Sequence, residues 1–237
     1  MLIDAHAHLN EPLLAGFVNS LEKIGGNISV YSNSVDLATS VWNIQASNRL
    51  EAVVPFVGIH PEIFSRSTNA KLSRESLDQM VEKVGELFYS ASGIGEIGLD
   101  PNYGRADEQA YLLTRLLDYA EDSRLPISFH CRNTFEKILD TLSSHTIHGN
   151  LLFHWFAGSE SDLKRLHDNG IYTSFGPSIL FSKRMARLVE TSDAEYILAE
   201  TDSPTIFRSI IDHPTTPFIV SSVIFKMSLI RKVSFEK

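Results

Sequence analysis

The chain has 237 residues, 43% hydrophobic and 21% charged, a composition that excludes an extensively disordered or low-complexity protein. A net charge of −8 argues against a nucleic-acid coat protein, whose binding is driven by clustered Lys and Arg, but leaves room for a nucleic-acid enzyme that works through bound cations. The single cysteine, Cys131, excludes an intrachain disulfide; with no basic-then-apolar leader and no run near the ~20 apolar residues of a membrane span, a cytoplasmic protein free of membrane is expected.

In chain order, eight short apolar runs read as strands. They are "LIDAH" (2–6), "ISVYSNS" (28–34), "AVVPFVGIH" (52–60), "SGIGEIGLD" (92–100), "PISFHC" (126–131), "NLLFHWF" (150–156), "IYTSFG" (171–176) and "YILAETD" (196–202). Between them lie stretches such as "SRESLDQMVEKVGELFYS" and "DEQAYLLTRLLDYAEDS", whose apolar residues recur every three or four positions and predict amphipathic helices. The last stretch, "FIVSSVIFKMSLIRKVSFEK", predicts a final packed helix, because Lys226 and Arg231 interrupt its apolar run. No linker or repeat divides the chain, so one α/β domain over 1–237 is expected. Eight strand–helix units at this length predict a closed (β/α)8 TIM barrel in preference to an open doubly wound sheet.

The polar residues then fall into a pattern. His6 and His8 follow the first run, one residue apart, so that in extended chain both rings face the same side. His60, His130 and His154 end the third, fifth and sixth runs, Glu96 and Asp100 lie late in the fourth, and Asp202 ends the eighth. In a (β/α)8 barrel the C-terminal ends of the strands build the active site. Four imidazoles (His6, His8, His130, His154) and two carboxylates (Glu96, Asp202) exceed the three protein ligands of a catalytic zinc but suit two divalent ions, with Glu96 on a central strand able to bridge them. Mixed nitrogen and oxygen donors fit Zn, Mn, Co or Fe, with Mg also possible.

Other residues admit two readings. Arg132 is a phosphate-binding fork or a solvated loop residue, and Trp155 with Phe156 a base-stacking surface or core. Lys183, Arg184 and Arg187 form a solvated helix face or a nucleic-acid rim, and Glu200 orients a ligand histidine or fills a barrel layer. Cys131 reads as a small buried residue, and "GIGEIGLD" lacks the spacing of a dinucleotide fingerprint.

The motifs "DAHAHL", "GIHPE", "GEIGLD", "FHCR", "FHWFAG" and "ETDSP", in this order, resemble the TatD family of metal-dependent hydrolases of the amidohydrolase-like superfamily. The resemblance spans residues 1 to about 205 and implies a (β/α)8 barrel, a divalent-metal centre and deoxyribonuclease activity on phosphodiesters, often exonucleolytic on single strands. It also implies that His6, His8 and Asp202 hold one ion, His130 and His154 a second, and Glu96 both, while His60 contacts a substrate phosphate. Asp202 would in addition take a proton from the attacking water, with Arg132 offsetting phosphoryl charge. DNA is thus the expected substrate, with other phosphodiesters next and no obligate protein partner. A hydrolase of a small ester, amide or lactone, or a non-catalytic metal-binding partner protein, are the alternatives. The sequence departs from the family pattern after "ETDSP", where it reads "TIFRSIIDHPTTPFIV", and in "GLDP", where an aromatic residue commonly follows the Asp.

Overall fold

The structure, a computed structural model, describes residues 1–24, 26–66, 72–207 and 213–235. All eight expected strands are present: β1 (Leu2–Ala7), β2 (Ile28–Ser32), β3 (Val53–Val57), β4 (Gly93–Leu99), β5 (Ile127–Cys131), β6 (Leu151–Phe153), β7 (Tyr172–Phe175) and β8 (Ile197–Ala199). They form one sheet in the order β1-β2-β3-β4-β5-β6-β7-β8, with parallel pairing, and helices alternate with them in the (β/α)8 pattern. The helices are α1 (Ala15–Ile24), α2 (Leu37–Ser47), α3 (Ile63–Arg66), α4 (Arg74–Gly85), α5 (Ala106–Glu121), α6 (Phe135–Leu142), α7 (Glu160–Asp168), α8 (Lys183–Thr191) and α9 (Val220–Arg231). No helix among the described residues is long and apolar enough to cross a membrane.

Local chemistry starts several of these helices. Asp36 and Thr39 form a reciprocal capping box on α2, as Ser159 and Asp162 do on α7, and Ser73 and Ser182 cap α4 and α8. Along α5, Leu112, Leu113, Leu116, Leu117 and Ala120 are buried at helical spacing, while Asp107 and Glu108 sit in its first turn, where the helix dipole favours anions. The expected helix over 73–90 changes to a tighter 3-10 turn at Glu86–Ser90. In α9, Val220, Val223 and Met227 are buried, and Arg231 donates to the carbonyls of Val189 and Ser192 at the end of α8. Residues 236–237 of the last expected stretch, and 208–212 of the divergent segment, lie outside the described residues.

By contact, the chain divides into two compact units. The first comprises Met1–Ser32, Arg49–Val54 and Leu152–Lys237. Its core includes Ala7, Val30, Phe153, Leu163, Phe175 and Val189, and in it β8 returns to β1 through the Ala7–Ser203 bridge. The second comprises Asn33–Asn48 and Pro55–Leu151, with Phe56, Leu77, Val81, Ile94, Ile97 and Phe129 in its core. Every residue of β4 is buried, as in a parallel strand covered on both faces. Gly98 pairs with His130 across β4 and β5 at φ +152°, and a Cβ there would lie 1.9 Å from the His130 carbonyl oxygen. Only glycine permits that approach.

Six of the eight strands end earlier than their apolar runs; β1 runs one residue longer and β5 ends with its run. His60 lies three residues beyond β3, His154 directly after β6 and Asp202 three residues beyond β8, so three of the expected strand-end residues are loop residues. Asp202 adopts φ +49° and Trp155 φ +46°, left-handed backbone that turns each chain sharply out of its strand.

Candidate metal centre

Each unit holds one cluster of histidine and carboxylate. In the first, β1 delivers His6 and His8 and the segment after β8 delivers Asp202. The two segments are laced together by backbone hydrogen bonds, Asp202 N–H to the His6 carbonyl and His8 N–H to the Ser203 carbonyl, both 2.8 Å. His6 Nε2 and His8 Nε2 stand 3.3 Å apart, and Asp202 Oδ1 lies 3.3 Å from His8 Nε2 and 3.8 Å from His6 Nε2. His154 stacks on His6 with ring centroids 3.7 Å apart, and atoms of His6, His154 and Asp202 lie within 4.8 Å of one another.

These spacings suit a cation. Two nitrogens bound to one tetrahedral zinc at ~2.0–2.1 Å are about 3.3 Å apart, the separation of His6 and His8. Burial pushes the Asp202 carboxyl up, but the hydrogen bond from His8 and the imidazoles of His8, His6 and His154 outweigh it and hold the group below the ordinary carboxylate range. Behind His154, Glu200 Oε2 lies 3.6 Å from Nδ1 and accepts a hydrogen bond from Ser174, while its buried Oε1 has no hydrogen-bond partner among the described residues. A carboxylate behind a histidine fixes ring orientation and raises its basicity as a ligand. At 3.6 Å the pair lies beyond hydrogen-bond range, so Glu200 faces the His154 ring as a charge while Ser174 is its hydrogen-bond donor.

In the second unit, β4 delivers Glu96, β5 delivers His130 and the loop after β3 delivers His60; atoms of the three lie within 4.8 Å of one another. His130 is held between two carboxylates, Nδ1 2.7 Å from Glu96 Oε1 and Nε2 2.9 Å from Asp100 Oδ2. With Nε2–H donating to Asp100, the Nδ1 lone pair faces the Glu96 oxygen, an arrangement satisfied by a proton or by a metal ion. His60 differs. Its Nδ1 accepts the Glu62 backbone N–H at 3.1 Å, which leaves the proton on Nε2, 3.5 Å from Glu96 Oε1. In that tautomer His60 offers an N–H donor to an anionic oxygen and no second lone pair to a metal. Arg132 is exposed just beyond β5, and its charge acts on the Tyr103 hydroxyl, whose pKa is raised mainly by burial and by Glu62.

The donor sets therefore fit divalent ions. Atoms of His6, His154 and Asp202 lie within 4.8 Å of one another, with His8 against His6 and Asp202, and Glu96 stands against His130 with His60 beside them. Two residues outside the expected set support the clusters. Asp100 orients His130, and its position four residues after Glu96 on one strand was the signal for it. Asp4 is fully buried and accepts from the His6 N–H and from the Thr201 N–H and hydroxyl, so one carboxylate braces the residues flanking both His6 and Asp202. Its place two residues before His6, on the same strand face, was the corresponding signal.

The comparisons with known proteins agree with this chemistry. The family model described as TatD related DNase matches residues 3–237. An uncharacterised metal-dependent hydrolase of Methanocaldococcus jannaschii is 31% identical over 167 residues, 68% of this chain and 64% of that protein. The 3'-5' ssDNA/RNA exonuclease TatD of Salmonella typhimurium is 30% identical over 67% of this chain and 61% of its own. The matched regions thus cover slightly less than two thirds of these relatives. Among solved structures, the TatD homologue YjjV of Escherichia coli superposes with a TM-score of 0.81 at 21% identity, covering 99% of this chain and 92% of that one, which shows a common fold. The chain folds as a (β/α)8 barrel and belongs to the TatD related DNase family.

Proposed function

We propose that the protein is a two-metal phosphodiesterase that degrades single-stranded DNA. The observation that carries this reading is that atoms of His6, His154 and Asp202 lie within 4.8 Å of one another with His8 3.3 Å from both His6 and Asp202, together with a second donor set of Glu96 and His130. In this reading the first four residues hold one divalent ion and Glu96 with His130 hold the other. Bound divalent ions supply Lewis-acid polarisation of a phosphoryl oxygen and lower the pKa of a water.

The chain's own groups divide the remaining work. Asp202, kept ionised by the imidazoles around it, accepts a proton from the attacking water at a carboxylate oxygen. His60, with its proton held on Nε2 by the Glu62 amide, donates to a phosphoryl oxygen as charge develops there. Arg132, exposed beyond β5, offers a planar fork to a neighbouring phosphate. Asp4, Asp100 and Glu200 hold the working residues in place.

The test is metal analysis of protein purified without chelator, combined with labelled single-stranded DNA, duplex DNA, RNA and small esters. About two divalent ions per chain and EDTA-sensitive cleavage of single-stranded DNA are expected. Absence of transition metal, with no activity on adding Mn, Zn or Mg, overturns the metal reading. Cleavage of small esters alone moves the substrate to that class.

A further inference from the structure

We propose that Trp155 and Phe207, with Phe181 at the edge of Phe207 and Lys183 two residues further along the chain from Phe181, form a subsite that stacks an unpaired nucleobase of the substrate. The inference deepens the nuclease reading and takes its substrate class from it. All four residues belong to the first unit, which also holds His154 and Asp202.

The rings are arranged as a surface. The Trp155 and Phe207 planes are parallel within 8° at a centroid separation of 5.7 Å, and Phe181 stands edge-on to Phe207 at 5.8 Å. Phe181 is 47% exposed and Ile206, beside Phe207, is 40% exposed. Phe156, 5% exposed, packs on Phe175 in the core, whereas Trp155 and Phe207 are half-buried and Phe181 is exposed. The stacking surface anticipated at Trp155 and Phe156 therefore excludes Phe156 and recruits Phe207 and Phe181, two residues distant in sequence.

The indole is also fixed relative to the metal ligands. Trp155 follows His154 in left-handed backbone, and its backbone N–H donates to Ser174 Oγ at 3.3 Å. A Cβ on Gly176 would meet Trp155 Cζ3 at 3.0 Å and Glu200 Cγ at 3.6 Å, so the indole and the carboxylate behind His154 rest on the same glycine. Phe207 follows Asp202 by five residues, and the Thr205 hydroxyl donates to the Asp202 carbonyl at 2.6 Å, tying the start of that segment.

Charge favours a nucleotide over an apolar partner. Arg184 is engaged by the carbonyls of Ala157 and Gly158, and Arg187 by Glu160 and Glu190. Lys183, two residues after Phe181, is exposed and pairs with no described residue, leaving an ammonium for a backbone phosphate. Aromatic faces with an adjacent cation bind single strands without regard to base identity. Bases paired within a duplex have no free face to offer, so the subsite selects unpaired ends.

Tryptophan fluorescence tests this directly. The chain has two tryptophans, so Trp42→Phe leaves Trp155 as the only emitter. Metal-loaded protein is titrated with a phosphorothioate oligothymidylate, which resists cleavage, and with an abasic oligomer of equal length. The oligothymidylate is expected to quench Trp155 and the abasic oligomer to leave it unchanged, with Phe207→Ala and Phe181→Ala each weakening the oligothymidylate by about tenfold. As a second measurement in the otherwise native chain, the ratio of KM for abasic to base-bearing substrate should fall towards one in Phe207→Ala. Equal quenching by the abasic oligomer, or full affinity in both phenylalanine variants, overturns the subsite. Base-dependent quenching without any DNA cleavage overturns the nuclease reading instead, and cleavage indifferent to the presence of a base overturns only the subsite.

Discussion

His60 and Glu96 lie 3.5 Å apart yet are asked to fail differently when removed. Glu96 brings a buried carboxylate to His130, and its replacement by Ala takes away an anionic ligand, so metal content and turnover should collapse together. A terminal ligand lost from one ion leaves about one equivalent per chain, whereas the bridging role expected of Glu96 from the sequence leaves less than one. His60 has its lone pair occupied by the Glu62 amide. His60→Ala should therefore keep its metal and lose rate by about 100-fold, the scale of one lost hydrogen bond to transition-state charge. Elemental analysis beside kcat for the two variants decides it; loss of metal in His60→Ala makes His60 a ligand.

At the scale of elements, β4 and β5 depend on Gly98. Its φ of +152° and the 1.9 Å approach to the His130 carbonyl leave no room for a Cβ. Gly98→Ala should cost at least about 2 kcal/mol of unfolding free energy and displace His130, read as a lowered denaturation midpoint with lost metal. A second element-level device is His167, which joins α7 to β7 and to the turn after α8. Its Nδ1 accepts the Asp193 N–H at 3.1 Å and its Nε2–H faces the Thr173 hydroxyl at 3.0 Å. Burial lowers its pKa against the opposing pull of Asp193 and Asp168. The folded state thus binds this proton less readily than the unfolded chain, where imidazole titrates near 6.5. Stability from neutral His167 is complete above pH ~6.5 and declines as pH falls from there towards the lowered value. Melting curves between pH 7.5 and 5 should slope less in His167→Gln than in the native chain; equal slopes would remove His167 from the account.

For the whole molecule, the proposed activity should depend on acidic charge and on imidazole ligation. With a net charge of −8 and two of the three α8 cations already engaged, few counterions are released on binding DNA. The slope of log Kobs against log salt should be no steeper than about −3. Activity should fall as pH drops through about 6, because protons compete with metal for imidazole nitrogens. A profile flat to pH 4.5 counts against histidine ligation.

Periodicity alone located all eight strands, because an apolar run of five to nine residues between amphipathic helices has few other uses in a chain of this length. The ligand candidates were legible too, since "DAHAH", "GEIGLD", "FHC" and "ETD" put donor residues at or just after strand ends. The resemblance grouped His6 and His8 with Asp202, which the structure brings together, but the contacts of His154 and His60 were not legible. His154 meets His6 and Asp202, and His60 meets Glu96 and His130, through loop residues whose backbone leaves the strand path, as Asp202 and Trp155 do at positive φ. Sequence spacing fixes the face of a strand but not the turn that follows it, so the pairing of ligands is set by tertiary packing. The same limit hid Phe207 as the partner of Trp155, Phe181 as the partner of Phe207 and Asp4 as the brace beneath His6. Residue types along the chain determined which chemistry was available; hydrogen bonds and ring contacts between distant segments decided which atoms perform it together.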